Sequence, residues 1–84
     1  MTTILFFGRL RDVAGCSEML CDLPQQVSSV ADVRAWLAAR DPVLGKALHA
    51  PGVRVAVDRS FCTRDDQCAG GAAEIAFMSP LSGG

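Results

Sequence analysis

Several kinds of side chain are scarce in this sequence. His49 is the only histidine and Lys46 the only lysine. Nine acids stand against eight bases, a net charge of −1. With no basic surplus to displace phosphate counterions, electrostatically driven binding to nucleic acid is excluded. No apolar run approaches the roughly 20 residues of a membrane-crossing helix, so no membrane association is expected. The opening MTTILFFGRL has no basic segment ahead of its short apolar stretch, unlike a secretory signal, and a cytoplasmic address is expected.

Chemistry-bearing groups are equally sparse. A nucleophile beside a base, a carboxylate pair or a set of metal ligands marks an active site. His49 stands alone next to the Pro51-Gly52 turn, and Asp65-Asp66 sits in a polar stretch that reads as a solvated turn. No phosphate-binding glycine motif precedes a helix. The four cysteines, Cys16, Cys21, Cys62 and Cys68, have gaps looser than the two-residue knuckles of zinc sites. Without a secretory signal they read as reduced thiols, not as disulfides or a metal centre. The expectation is a carrier or binding protein with no active site of its own, no metal and no bound cofactor.

What is present is a folded domain. Half of the 84 residues are apolar and a fifth are charged, the composition of a globular chain. A chain of this length buries only about 60–65% of its unfolded surface, so its core is thin. Residues 3–7, TILFF, are apolar on both faces and predict a central strand. Arg9 to Ala14 predict a helical turn closed by Gly15. In residues 17–23, Met19, Cys21 and Leu23 alternate with polar neighbours, as in a half-buried strand that pairs back on the first. Ser29 and Asp32 form a capping-box pair ahead of a helix whose stripe is Val30, Val33, Trp36 and Leu37, with Arg34 and Arg40 pointing elsewhere. Asp41-Pro42 ends that helix and starts a second, to Leu48.

Val53, Val55 and Val57 predict a third strand, Asp58 to Ser60 a turn, and Phe61-Cys62 a short strand. Thr63 to Gly71 read as loop, and Glu74 to Met78 as the last strand, ended by Pro80. The order predicts an α+β, β-grasp domain over residues 1–78. Its mixed sheet of four to five strands is covered by one main helix, with the first and last strands parallel at the centre. Residues 79–84 read as a flexible tail ending in Gly-Gly.

That tail offers the one unusual reactive group, the α-carboxylate of Gly84. A carboxylate is a poor electrophile until it is adenylated, after which sulfide can replace AMP and leave a thiocarboxylate. Six residues reach about 20 Å, glycine has no Cβ to obstruct a narrow channel, and Pro80 stiffens the exit.

Residues 4–15 (ILFFGRLRDVAG), 55–60 (VAVDRS) and 74–84 (EIAFMSPLSGG) together resemble the small, sulfur-carrying subunit of molybdopterin synthase. The Leu5-Phe6-Phe7 opening with Arg11, and the Glu-Ile-Ala-Phe ending with Pro80 and Gly83-Gly84, carry the likeness. It implies a ubiquitin-like β-grasp fold and three partners. An E1-like adenylyltransferase activates Gly84 with ATP. A sulfur donor protein then makes the thiocarboxylate. A large subunit receives the tail and passes sulfur to cyclic pyranopterin monophosphate in molybdenum cofactor biosynthesis. Two carriers flank a dimer of large subunits, a heterotetramer. On this chain the likeness makes Gly84 the sulfur bearer and Gly83 its slim neighbour. Phe7, Leu10, Phe77, Met78, Pro80 and Leu81 become candidates for an apolar docking face, and Arg11 a polar contact.

The chain departs from the family at Gly70 to Glu74, where Asp-Gly-Asp-Glu is common, and at Met78-Ser79, where Phe-Pro is common. Three rival readings stand. One is a sulfur carrier for thiamine or a related metal–pterin pathway. Another is a ubiquitin-like protein modifier, for which the lone Lys46 disfavours chain formation. The third is a cysteine-rich metal-binding module.

Overall fold

A computed structural model describes residues 1–80. Strand β1 (Thr2–Phe7) leads through Gly8 into the short helix α1 (Arg9–Ala14). Strand β2 (Glu18–Cys21) returns antiparallel to β1, pairing Thr2 with Cys21 and Leu5 with Glu18. Helices α2 (Val30–Arg40) and α3 (Pro42–Leu48) follow, then β3 (Arg54–Val57), β4 (Ser60–Cys62) and β5 (Glu74–Met78). One sheet forms in the order β2-β1-β5-β3-β4. Its central pair, β1 and β5, is parallel, as the apolar character of both strands predicts. The architecture is the expected β-grasp, with five strands.

Local chemistry explains the boundaries. The Ser29 hydroxyl accepts from the Asp32 amide at 3.1 Å, and the Asp32 carboxylate accepts from the Ser28 and Ser29 amides at 3.1 and 3.2 Å. These bonds to the charged form hold the Asp32 carboxyl below the usual carboxylate range. The Asp41 carboxylate accepts from the Leu44 amide, so one residue ends α2 and caps α3. Strand β2 is shorter at both ends than the alternation suggested, and Leu23 lies beyond it.

The β3–β4 turn places Asp58 and Arg59 at φ 48° and 71°, the left-handed pair that closes a tight hairpin in register with twisted strands. Asp58 has a second task. Its Oδ1 accepts from the Ala73 and Glu74 amides at 2.9 and 3.0 Å. The segment before β5 thus takes a carboxylate from the neighbouring hairpin.

The core lies between one sheet face and the helices. Ile4 and Phe6 of β1 meet Ile75 and Phe77 of β5, all at most 1% exposed, under Val33 and Leu37 of α2. Phe6 and Phe77 stack with ring centres 6.2 Å apart. Arg34 corrects the sequence reading. It points inward, only 8% exposed. Its guanidinium lies 5.7 Å from the Phe77 ring centre, its Nη1 donates to the Leu48 carbonyl, and its Nε faces Asp65 Oδ1 at 3.3 Å. The buried charge is tolerated because an acid, a carbonyl and an aromatic face replace its water. Arg40, as expected, lies outside, stacked 4.6 Å over Trp36.

Candidate functional site

The parallel centre of the sheet brings the ends of β1 and β5 together, so the chain leaves the body beside the β1–α1 junction. Phe7 pairs with Met78, and Met78 pairs with Arg54 on its other side. The next residue, Ser79, remains held. Its hydroxyl accepts from the Arg9 backbone amide at 3.0 Å and donates to the Phe7 carbonyl at 3.4 Å. Two glycines make room. Gly8, at φ +65°, lies where a Cβ would come within 2.3 Å of the Ser79 hydroxyl oxygen. Gly52, at φ +87°, lies where a Cβ would come within 3.1 Å of the Pro80 ring. Both need glycine twice over, for the left-handed backbone and for the close approach. Beside the exit, Leu10, Val13, Ala47, Pro51, Val53 and Pro80 line a largely apolar cleft of about 340 Å³.

Strand pairing also defines the open face of the sheet, since paired residues project to the same side. Glu18, Leu5, Ala76, Ala56 and Phe61 form one row across all five strands. Phe7, Met78 and Arg54 form the row nearest the tail, and Leu20, Thr3 and Glu74 the row farthest from it. Ala56 and Ala76 make a low floor between Leu5 and Phe61. Phe7 is 48% exposed, Phe61 60% and Leu20 63%. That is much apolar surface for a body of this size, and such patches mark interaction sites.

The predicted residues divide accordingly. Phe7 and half-buried Met78 lie together on the open face, exposed Pro80 stands at the tail exit, and Arg11 is exposed on α1. Leu10 and Phe77 are corrections. At 2% and 0% exposure they belong to the core, and Leu10 reaches the surface only at the floor of the cleft. Phe77 has the register parity of Phe6, which turns it under the helices, and Leu10 is the buried residue of α1. Leu81, Gly83 and Gly84 lie outside the described residues.

Leu5, Leu20, Phe61 and Ser79 escaped the sequence reading. The two-sided apolarity of residues 3–7 was a signal for Leu5, and the alternation of Phe61 with Ser60 and Cys62 for Phe61. Nothing in the sequence marks Ser79, whose partners are more than sixty residues away.

The other titratable groups are structurally occupied or isolated. His49 Nδ1 donates to the Gly45 carbonyl at 2.7 Å, capping α3. The cysteines are free thiols, and burial pushes Cys21 up against the opposing pull of Arg40. Arg64 and Asp66 form an exposed ion pair. Among the described residues no three His, Cys, Asp or Glu side chains cluster to hold a metal, and no helix is long and apolar enough to cross a membrane.

The fold has close structural counterparts. SAMP1 from Haloferax volcanii superposes with a TM-score of 0.79 at 20% identity, over 99% of this chain and 98% of that one. A second structure of H. volcanii small archaeal modifier protein 1 gives 0.78 at 17% identity, over 95% and 97%. A Pyrococcus furiosus protein assigned as molybdopterin converting factor, subunit 1, gives 0.70 at 21% identity, over 95% and 97%. At these identities the likeness concerns the fold. No curated protein matches the sequence. Residues 4–84 match the ThiS family, from β1 through the final Gly-Gly. The chain therefore belongs to the ThiS family, and it is a ubiquitin-like sulfur carrier domain.

Proposed function

We propose that this chain is the sulfur-carrying small subunit of molybdopterin synthase, with Gly84 as the sulfur bearer. The observation that supports it most is the family match over residues 4–84, which includes the terminal glycines. In the first step a Gly84 carboxylate oxygen attacks the α-phosphorus of ATP on an E1-like adenylyltransferase and expels pyrophosphate. Sulfide from a sulfur donor protein then attacks the acyl carbon, AMP leaves, and a thiocarboxylate remains. On the large subunit the thiocarboxylate sulfur passes to cyclic pyranopterin monophosphate, and water restores the Gly84 carboxylate. The chain itself supplies the sulfur and the recognition, and the partners supply the catalytic groups.

The open face suits the recognition role. Phe7, Met78 and Phe61 are apolar, lie near the tail exit or in the adjoining row, and contribute little to the core. Arg54, in the row of Phe7 and Met78, and Arg11, exposed on α1, are the candidate polar contacts.

The test is sulfur transfer with the large subunit. Thiocarboxylated carrier should convert cyclic pyranopterin monophosphate to the dithiolene, and carrier lacking Gly84 should not. A thiamine-type carrier shares the first two steps. Transfer only to a thiazole-forming enzyme would overturn the molybdopterin branch, and an isopeptide adduct to protein lysines would place the chain among modifiers.

A further inference from the structure

The Ser79 contacts hold the last described turn of chain before the reactive tail. β5 stops pairing at Met78, and no ladder fixes the next two residues, Ser79 and Pro80. At that point one hydroxyl bridges two backbone groups of the β1–α1 junction, the Arg9 amide and the Phe7 carbonyl. Gly8 sits where any side chain would drive this hydroxyl out, and Gly52 closes on Pro80 from the α3–β3 side. Two distant turns are thus shaped around two consecutive residues of the tail base. Packing of the core does not require this, since Ser79 is half-buried and Pro80 exposed.

We propose that Ser79 is a positioning residue. Its hydroxyl clasps the tail base to the β1–α1 junction, so that the chain at Pro80 already points in the direction an accepting active site needs. The inference rests on the sulfur-carrier reading and adds a residue to it. Fixing a backbone segment in one conformation costs conformational entropy. A carrier that has met this cost on folding does not meet it again on docking. A proline at this place would restrict the backbone by its ring, without a hydrogen bond. In this chain a hydrogen-bonded serine takes that part.

The effect belongs to docking and not to the chemical step, which gives it a kinetic signature. With the cognate E1-like adenylyltransferase at saturating ATP, pyrophosphate exchange driven by Ser79→Ala should show a KM for the carrier raised roughly three- to tenfold, with kcat unchanged. Ser79→Pro should return KM to near the wild-type value. Gly8→Ala should raise KM like Ser79→Ala and add nothing on the Ser79→Ala background, since both open one clasp. Ser79→Ala leaves the backbone intact and carries the test alone if Gly8→Ala does not fold. Hydrogen exchange supplies an independent readout: the Arg9 amide should exchange faster in Ser79→Ala, with the core amides of β1 and β5 unchanged.

An unchanged KM in a Ser79→Ala chain whose Arg9 amide has been released would overturn the clasp and leave the carrier reading intact. A fall in kcat alone would also overturn it. A wild-type carrier inert in the exchange reaction would overturn the carrier reading itself, and the clasp's role with it.

Discussion

The two faces of this sheet are built from the same five strands and carry similar side chains, yet only one is covered. Ile4, Phe6, Ile75 and Phe77 lie under α2 and α3, while Leu5, Phe7, Leu20 and Phe61 face outward from alternate positions of the same strands or their neighbours. A phenylalanine on the covered face is part of what makes the domain fold. A phenylalanine on the open face contributes little to the core and, on the proposed function, is the side chain a partner would meet. The parity of one residue, Phe6 against Phe7, separates the two roles.

Truncation of the covered face should have the largest effect. Phe77→Ala removes a fully buried ring that stacks on Phe6 and lies against Arg34. It should cost about 3–5 kcal/mol, enough to unfold a large fraction of so small a domain, and urea denaturation measures it. Arg34→Ala should follow at about 2–4 kcal/mol, since the Leu48 carbonyl loses its donor and the buried ring its cation. The double variant should be less than additive, because the two side chains touch. Full additivity would show that the guanidinium over Phe77 contributes nothing.

Open-face substitutions should invert the pattern. Phe7→Asp and Phe61→Asp should move the stability by no more than about 0.5 kcal/mol. On the proposed docking face, each should weaken association with the large subunit by about 2 kcal/mol or more. Titration calorimetry beside a thermal melt separates the effects. A variant that melts far below wild type would break the comparison between the two faces.

The smallest effect expected is at the α2 N-terminus. The Asp32 carboxyl is held below its ordinary value by the Ser28 and Ser29 amides. A depressed carboxylate pKa contributes stability that is full above the ordinary value near 4, and is lost as pH falls through the folded value. The melting temperature should therefore drop on acidification below about pH 4, and Asp32→Ala should remove part of that drop. An identical acid limb in the variant would contradict the role of the box.

Much of this was legible in the sequence. The apolar first and last strands announced the parallel centre, Ser29 with Asp32 announced α2, and Asp41-Pro42 announced the change from α2 to α3. What escaped notice depends on tertiary placement. The resemblance makes Leu10 and Phe77 docking candidates, and apolarity alone does not say which side of an element faces the helices. Sequence alone sets Arg34 off the apolar stripe, and its burial follows from partners in distant segments, Leu48 and Asp65. The Ser79 clasp depends on Gly8 and Arg9, which are remote in sequence and adjoin only once β1 and β5 pair.

The central claim concerns the carboxylate of Gly84, and intact mass spectrometry tests it most directly. The full chain is incubated with the E1-like adenylyltransferase, ATP and a sulfur source. A mass increase equal to one oxygen-for-sulfur exchange, absent when Gly84 is deleted although the deleted chain melts like wild type, is the predicted result. No increase, or an increase that persists without Gly84, would contradict the account.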